Sequence, residues 1–336
     1  MSTLGFFLGL VCVSAAAASF AAAGGVVLLT LLTRFPLASA RRADVAQLCG
    51  LLPASAGAAT FLLTALPALL GVAGFGVDHC LEHDDHHWHL CPRHFSGMPQ
   101  WMTLASVIVV VTVFTRALVS LYRAHAQAAL VRAASRLGRH SRFADGTVVV
   151  ELDGPPSLLH AAGSFILVSR RLLHELGGVA RDGVLAHEAA HIRRGDPQWL
   201  RRLSIATAFA PPGYGRWVSG LYRQAAEEAA DEEAAVVVGA VNVAAAVVEV
   251  ARIRRRSALD ALPAALPAAD GADLERRVLR LLALEPERRV SGARLVVAFL
   301  AVAGLAALPF VQQVHHLAES LLGDVGDAER PHQHDG

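Results

Sequence analysis

The 336-residue sequence predicts a mainly α integral-membrane protein, with four transmembrane helices and an α+β unit lying between the third and the fourth. Three observations predict it. Apolar residues make up 54% of the chain and the mean hydropathy is +0.44. The apolar residues gather in four stretches, about 5–33, 50–76, 101–121 and 293–314, each near or above the ~20 residues a helix needs to cross a bilayer. Between the third and fourth stretches the pattern changes to short β-branched runs and amphipathic segments, long enough for a core of their own.

The first stretch is read as a retained span and not as a signal peptide. No positive charge precedes it, since the first is Arg34, and it is too long for a signal core. The second and third follow with no acidic residue inside them, and Arg116 near the end of the third can reach the interface with its long side chain. Segment 123–292 then reads as a helix, strands at 147–152 and 164–169, a helix closed by Gly195-Asp196-Pro197, and further helices. The apolar piece 203–222 is broken by Pro211-Pro212-Gly213 and cannot span. Segment 255–271 reads as a connection, and Leu274 to Leu284 as an amphipathic helix leading back to the membrane.

Arginine placement orients the chain, because every basic residue is an arginine and lysine is absent. Segments 34–46 and 116–142 are arginine-rich and read as cytoplasmic. Segment 77–100 and the tail 315–336 are acidic and read as extracytoplasmic. The resulting organisation is three spans within 1–122, a cytoplasmic unit at 123–292, a fourth span at 293–314 and both termini outside a cell membrane. The arginines of 116–142 are explained by topology and anionic lipid, so direct nucleic-acid binding is not expected.

The chemistry concentrates in His187-Glu188-Ala189-Ala190-His191. On a helix, residues four apart share a face, so both imidazoles can bind one zinc ion. Glu188 then lies near the open coordination position, where it can act as general base. A zinc peptidase needs a third protein ligand, and Glu227 is the best candidate, with Asp231 on the same helix face. Asp231, and Asp196 just past the zinc helix, are assigned to hydrogen bonds that orient the ligand histidines. The competing reading of 227–233 is a solvated acidic helix, because Glu228, Glu232 and Glu233 crowd the same stretch.

Val184 through Pro197, the Glu227-to-Asp231 segment and the position of this unit ahead of a last span resemble the BlaR/MecR-type membrane zinc peptidases, metallo-family fifty-six. The resemblance implies a gluzincin-like endopeptidase with one zinc on His187, His191 and Glu227, and with Glu188 as base. It also implies a signalling role in which a cytoplasmic DNA-binding repressor of the BlaI/MecI type is cleaved. This chain departs from the best-known members in one respect: a penicillin-binding sensor domain needs a serine-x-x-lysine motif, and there is no lysine. Two other readings stand beside this one. One is an HtpX-like quality-control protease, ranked second because only 35 residues separate His191 from Glu227. The other is a non-catalytic receptor that uses the zinc fold as a scaffold.

A second cluster lies in segment 77–100, where His79, Cys80, His83, His86, His87, His89 and Cys91 fall close together. It reads as an extracytoplasmic metal-binding loop or as a loop closed by a Cys80–Cys91 disulfide.

Overall fold

The computed structural model describes residues 2–32, 37–72, 100–260 and 271–283. The fourth span, the His/Cys loop up to residue 99 and the tail after 314 lie outside the described residues. The described chain is mostly helical. Helices α1 (Ser2–Leu32), α2 (Ser39–Val72) and α3 (Gln100–Leu137) are each long and apolar enough to cross a membrane.

Two of these helices are longer than the hydropathy pattern suggests. Helix α2 begins at Ser39 and not near 50, so Arg41 and Arg42 belong to a helix and not to a loop. Arg42 is tolerated there because Glu228, from a distant helix, accepts its hydrogen bond. Helix α3 continues past 121 to Leu137, because Gly and Pro are absent from it and Ala, Leu and Arg favour helix. It stops at Gly138, where a Cβ would stand 2.3 Å from Val150 Cγ1.

A four-stranded sheet follows: β1 (Arg139–Arg142), β2 (Val148–Leu152), β3 (Leu159–Ala162) and β4 (Phe165–Ser169), in the order β1-β2-β4-β3. Strands β2 and β4 are parallel, and β1 and β3 flank them antiparallel. From the sequence alone the strand at 164–169 is a candidate edge for aligning an extended substrate, and the pairing corrects that. β4 is paired on both sides, which explains its buried Ile166, Leu167 and Val168, and β3 forms the edge.

The helices after the sheet are α4 (Arg170–Glu175), α5 (Gly178–Arg194), α6 (Asp196–Ala206), α7 (Tyr214–Val238), α8 (Ala240–Asp260) and α9 (Gly271–Leu282). Helix extends to Asp260, so the expected connection at 255–271 is helical in its first part, while 261–270 lies outside the described residues. Helix α5 is the centre of this unit: residues Gly183 to His191 are all buried. One side of α5 meets the sheet and α8 through Ile166, Val168, Leu185, Ala189 and Ala246.

The unit does not stand clear of the three long apolar helices. Ala43, Ala46 and Cys49 of α2 and Ala22 and Leu29 of α1 share one core with Leu203 of α6 and Val218, Tyr222 and Ala225 of α7. The approach is close: a Cβ on Gly50 would fall 2.2 Å from Leu203 Cδ2. The Pro211-Pro212 break turns the chain between α6 and α7. Arg116 of α3 donates to the carbonyls of Ala210 (2.6 Å) and Thr207 (3.0 Å) at that break. This arginine thereby caps the break, satisfying the Ala210 carbonyl and adding a second donor to the Thr207 carbonyl, which also accepts from the Ala210 N–H at 3.2 Å.

Candidate metal centre

Helix α5 ends where the sequence places its stop. Gly195 takes the left-handed conformation at φ 71°, and its N–H reaches the carbonyls of His191 and Ile192. A residue with a Cβ is disfavoured at that φ. The turn frees Asp196 to start α6 while its side chain points back at α5, with Oδ2 2.7 Å from His191 Nδ1.

His187 and His191 stand one turn apart with their rings edge to face, centroids 4.7 Å apart and planes at 88°. Their Nε2 atoms converge to 3.1 Å. Helix α7 delivers Glu227 across them, with Oε2 3.4 Å from His187 Nε2 and Oε1 3.5 Å from His191 Nε2. The structure thus brings together the three residues that the sequence singles out as ligands, and they form a group able to hold a metal ion. A tetrahedral ion with bonds of about 2.0–2.1 Å needs ligand atoms about 3.3–3.4 Å apart, and all three separations lie near that.

The second nitrogen of each ring makes the same point. Asp231 Oδ1 lies 2.8 Å from His187 Nδ1 and Asp196 lies at His191 Nδ1. Asp196 holds the proton on His191 Nδ1 and Asp231 stands beside His187 Nδ1; with a proton on each Nδ1, two Nε2 lone pairs face each other. Only a shared cation or an extra proton relieves that. The Asp231 contact is close but not aligned with the ring N–H, because its two oxygens are also held by Arg277 at 2.7 and 2.8 Å.

The electrostatics follow from this packing. Burial alone would lower the His191 pKa, but the hydrogen bonds to Asp196 and Glu227 outweigh it and push it up to about 10. His187 is raised in the same way by Asp231 and Glu227, against burial and the neighbouring His191. Burial would raise Glu227, yet the two histidines and Arg277 hold it well below the usual carboxylate range. The site therefore favours positive charge between its three ligand side chains. Glu227 is the most open of them: its side chain is 39% exposed against 11% for each histidine. Glu188 is buried on α5 beside His187, and its charge favours the protonated form of His191.

Several residues in this centre escaped sequence reasoning. Arg277 of α9 binds Asp231 bidentately and stands 3.1 Å from Glu227 Oε2. Glu228 is not a solvated neighbour. It is 2% exposed, gripped by Arg42 and by Arg280 at 2.7 Å. A signal existed, since the acidic run 227–233 and the arginines at 276, 277 and 280 are complementary in charge and spacing. Tyr222, fully buried, donates to Asp196 Oδ1 at 2.6 Å, and nothing in the sequence around it, one of two tyrosines on α7, gave warning of that. Burial and the adjacent Asp196 charge raise its phenol pKa, so it stays a donor.

Comparison with protein-family models, curated proteins and solved structures finds no match in any of the three.

Proposed function

We propose that this chain is a membrane-embedded zinc endopeptidase of the BlaR/MecR type that cleaves a cytoplasmic protein in transmembrane signalling. The observation that carries the proposal is the convergence of His187, His191 and Glu227 at spacings suited to a tetrahedral ion, with Glu188 beside them on the same helix. Two imidazoles and one carboxylate are the donor set of a catalytic zinc site that keeps a position open. Zinc, when bound, supplies polarisation of a scissile carbonyl and a water of lowered pKa.

The chain's own residues do the rest. Glu188 accepts a proton from the attacking water and returns it to the leaving amine. Asp196 and Asp231 hold the two imidazoles in the tautomer that presents Nε2. Arg277 keeps Glu227 and Asp231 ionised. β3, an edge strand of the described sheet, takes the role of aligning an extended peptide in place of β4.

A cytoplasmic location is supported by arginine placement and by one contact. The Arg41–Arg42 end of α2 packs on α7, so that arginine-rich end and the metal centre lie on the same side. The substrate expected from the resemblance is a BlaI/MecI-type repressor.

The experiment is to purify the full chain and measure metal content and cleavage of such a repressor. Wild type should hold about one zinc, and His187→Ala or Glu227→Ala should lose most of it. Glu188→Ala should keep zinc and lose cleavage. Full zinc in Glu227→Ala would refute the ligand set. Zinc without cleavage of any repressor or unfolded membrane substrate would leave the receptor reading in its place.

A further inference from the structure

Beyond the ligands, a chain of buried polar contacts runs from a membrane-spanning helix to the metal centre. Gln47 of α2 donates from Nε2 to the Tyr222 hydroxyl at 3.5 Å. Tyr222 donates to Asp196 Oδ1 at 2.6 Å, and Asp196 Oδ2 holds His191 Nδ1 at 2.7 Å. Exposures along the chain are 5% for Gln47, 0% for Tyr222, 3% for Asp196 and 9% for His191. We propose that Tyr222 is a positioning residue that fixes the orientation of His191 through Asp196, and that Gln47 makes α2 its anchor. This rests on the metal reading above and adds the element that controls it.

The chemistry of Asp196 requires such a donor. One oxygen faces His191 and, at 3.3 Å, Arg194. The other faces Tyr222. A phenylalanine at 222 would fill the same space and leave that oxygen buried without its donor, so the carboxylate would swing and carry the imidazole with it. Tyr214 shows what a merely structural tyrosine does at the same interface. Its hydroxyl donates to the Cys49 carbonyl on α2 at 2.6 Å, well buried, with no path to a ligand.

The anchor has a second grip. Ser39 of α2 donates to Glu232 at 2.7 Å, and Arg42 binds Glu228. Together with Gln47 on Tyr222, these contacts hold α7 on both sides of Glu227. The Gln47 bond is the longest of the series, so a sub-ångström shift of α2 loosens it first. Displacement of this span is thereby converted into a change in the set of His191. The span becomes the route by which an event across the membrane reaches the zinc.

The test uses the full chain in detergent. Zinc affinity is measured by competition with a chelating dye, and geometry by the visible spectrum of the cobalt-substituted protein. Tyr222→Phe should weaken zinc by about tenfold, the lower end for residues that orient metal ligands, and shift the cobalt bands. Gln47→Ala should weaken zinc by about threefold, as loss of one neutral hydrogen bond would. The double variant should be no weaker than Tyr222→Phe alone, since both act along one path. Tyr214→Phe should bind zinc as wild type does. Wild type that holds zinc, with Tyr222→Phe no different from Tyr214→Phe, overturns the positioning role and leaves the metal reading intact. Wild type that holds no zinc overturns both. If Tyr222→Phe fails to fold, Gln47→Ala decides, and an unchanged affinity and cobalt spectrum there refute the anchor.

Discussion

Replacing Glu228 tests whether the acidic face of α7 is a structural core or a solvated surface. Its carboxylate, 2% exposed, accepts from Arg42 and from Arg280 at 2.7 Å, with Ser39 at 3.4 Å. Removing one partner of a fully buried ion pair costs about 3–5 kcal/mol. Here the cations are part-exposed, 27% for Arg42 and 33% for Arg280, and Arg280 keeps Glu232 at 2.7 Å. The stranded charges can therefore reach water, and the expected loss for Glu228→Ala falls to about 2–3 kcal/mol. Glu228→Gln keeps the volume and a neutral acceptor, and should lose about half as much. The assay is denaturant unfolding of the purified protein, followed by tryptophan fluorescence. Glu249→Ala is the control, because among the described residues Glu249 pairs with Arg252 alone, at 3.4 Å near the surface, and should change stability by less than about 0.5 kcal/mol. Zinc should be retained by all three variants under native conditions. If Glu228→Ala behaves like Glu249→Ala, the buried network carries no stability and the solvated-helix reading is the right one.

The pH dependence of the chelator-stripped protein has a definite sign. His191 is raised from 6.5 to about 10 and His187 is raised as well, so their contribution is full below about pH 6.5 and is lost as pH rises toward 10. Glu227 is depressed, so its contribution is present above pH 4.5 and is lost only on acidification below that. Bound zinc replaces the histidine protons, so the gap in melting temperature between zinc-loaded and stripped protein should widen from pH 6.5 to 9. A flat or narrowing gap counts against this. Arg116→Leu should lower thermal stability by an amount matching about 1–2 kcal/mol, by removing the Arg116 donor from the Ala210 carbonyl, while the Thr207 carbonyl keeps the Ala210 N–H. A change within error would mean that water satisfies them. Reporter fusions near residues 90 and 330 should report the outside and one near 150 the cytoplasm. A cytoplasmic signal at 90 would reverse the orientation.

Much of this protein is written locally. The three helices long and apolar enough to cross a membrane follow from the length of their apolar runs, and α5 follows from its glycine stop and its i, i+4 histidines. The core strands β2 and β4 follow from β-branched runs, and Glu227 with Asp231 from their shared helix face. These signals are short-range, and one stretch of chain suffices to carry them. What only the tertiary structure decided involves partners far apart in sequence. β4 lost its place as the edge because β3 pairs with it. Arg42 turned from a loop charge into an ion-pair partner because α7 brings Glu228 to it, 186 residues away. Tyr222 and Arg277 reach the candidate ligand cluster, and Gln47 reaches Tyr222, only because α6, α9 and α2 pack against α7. Periodicity fixes which side of a helix a residue occupies. Which charge or hydroxyl waits on the other side is set by packing.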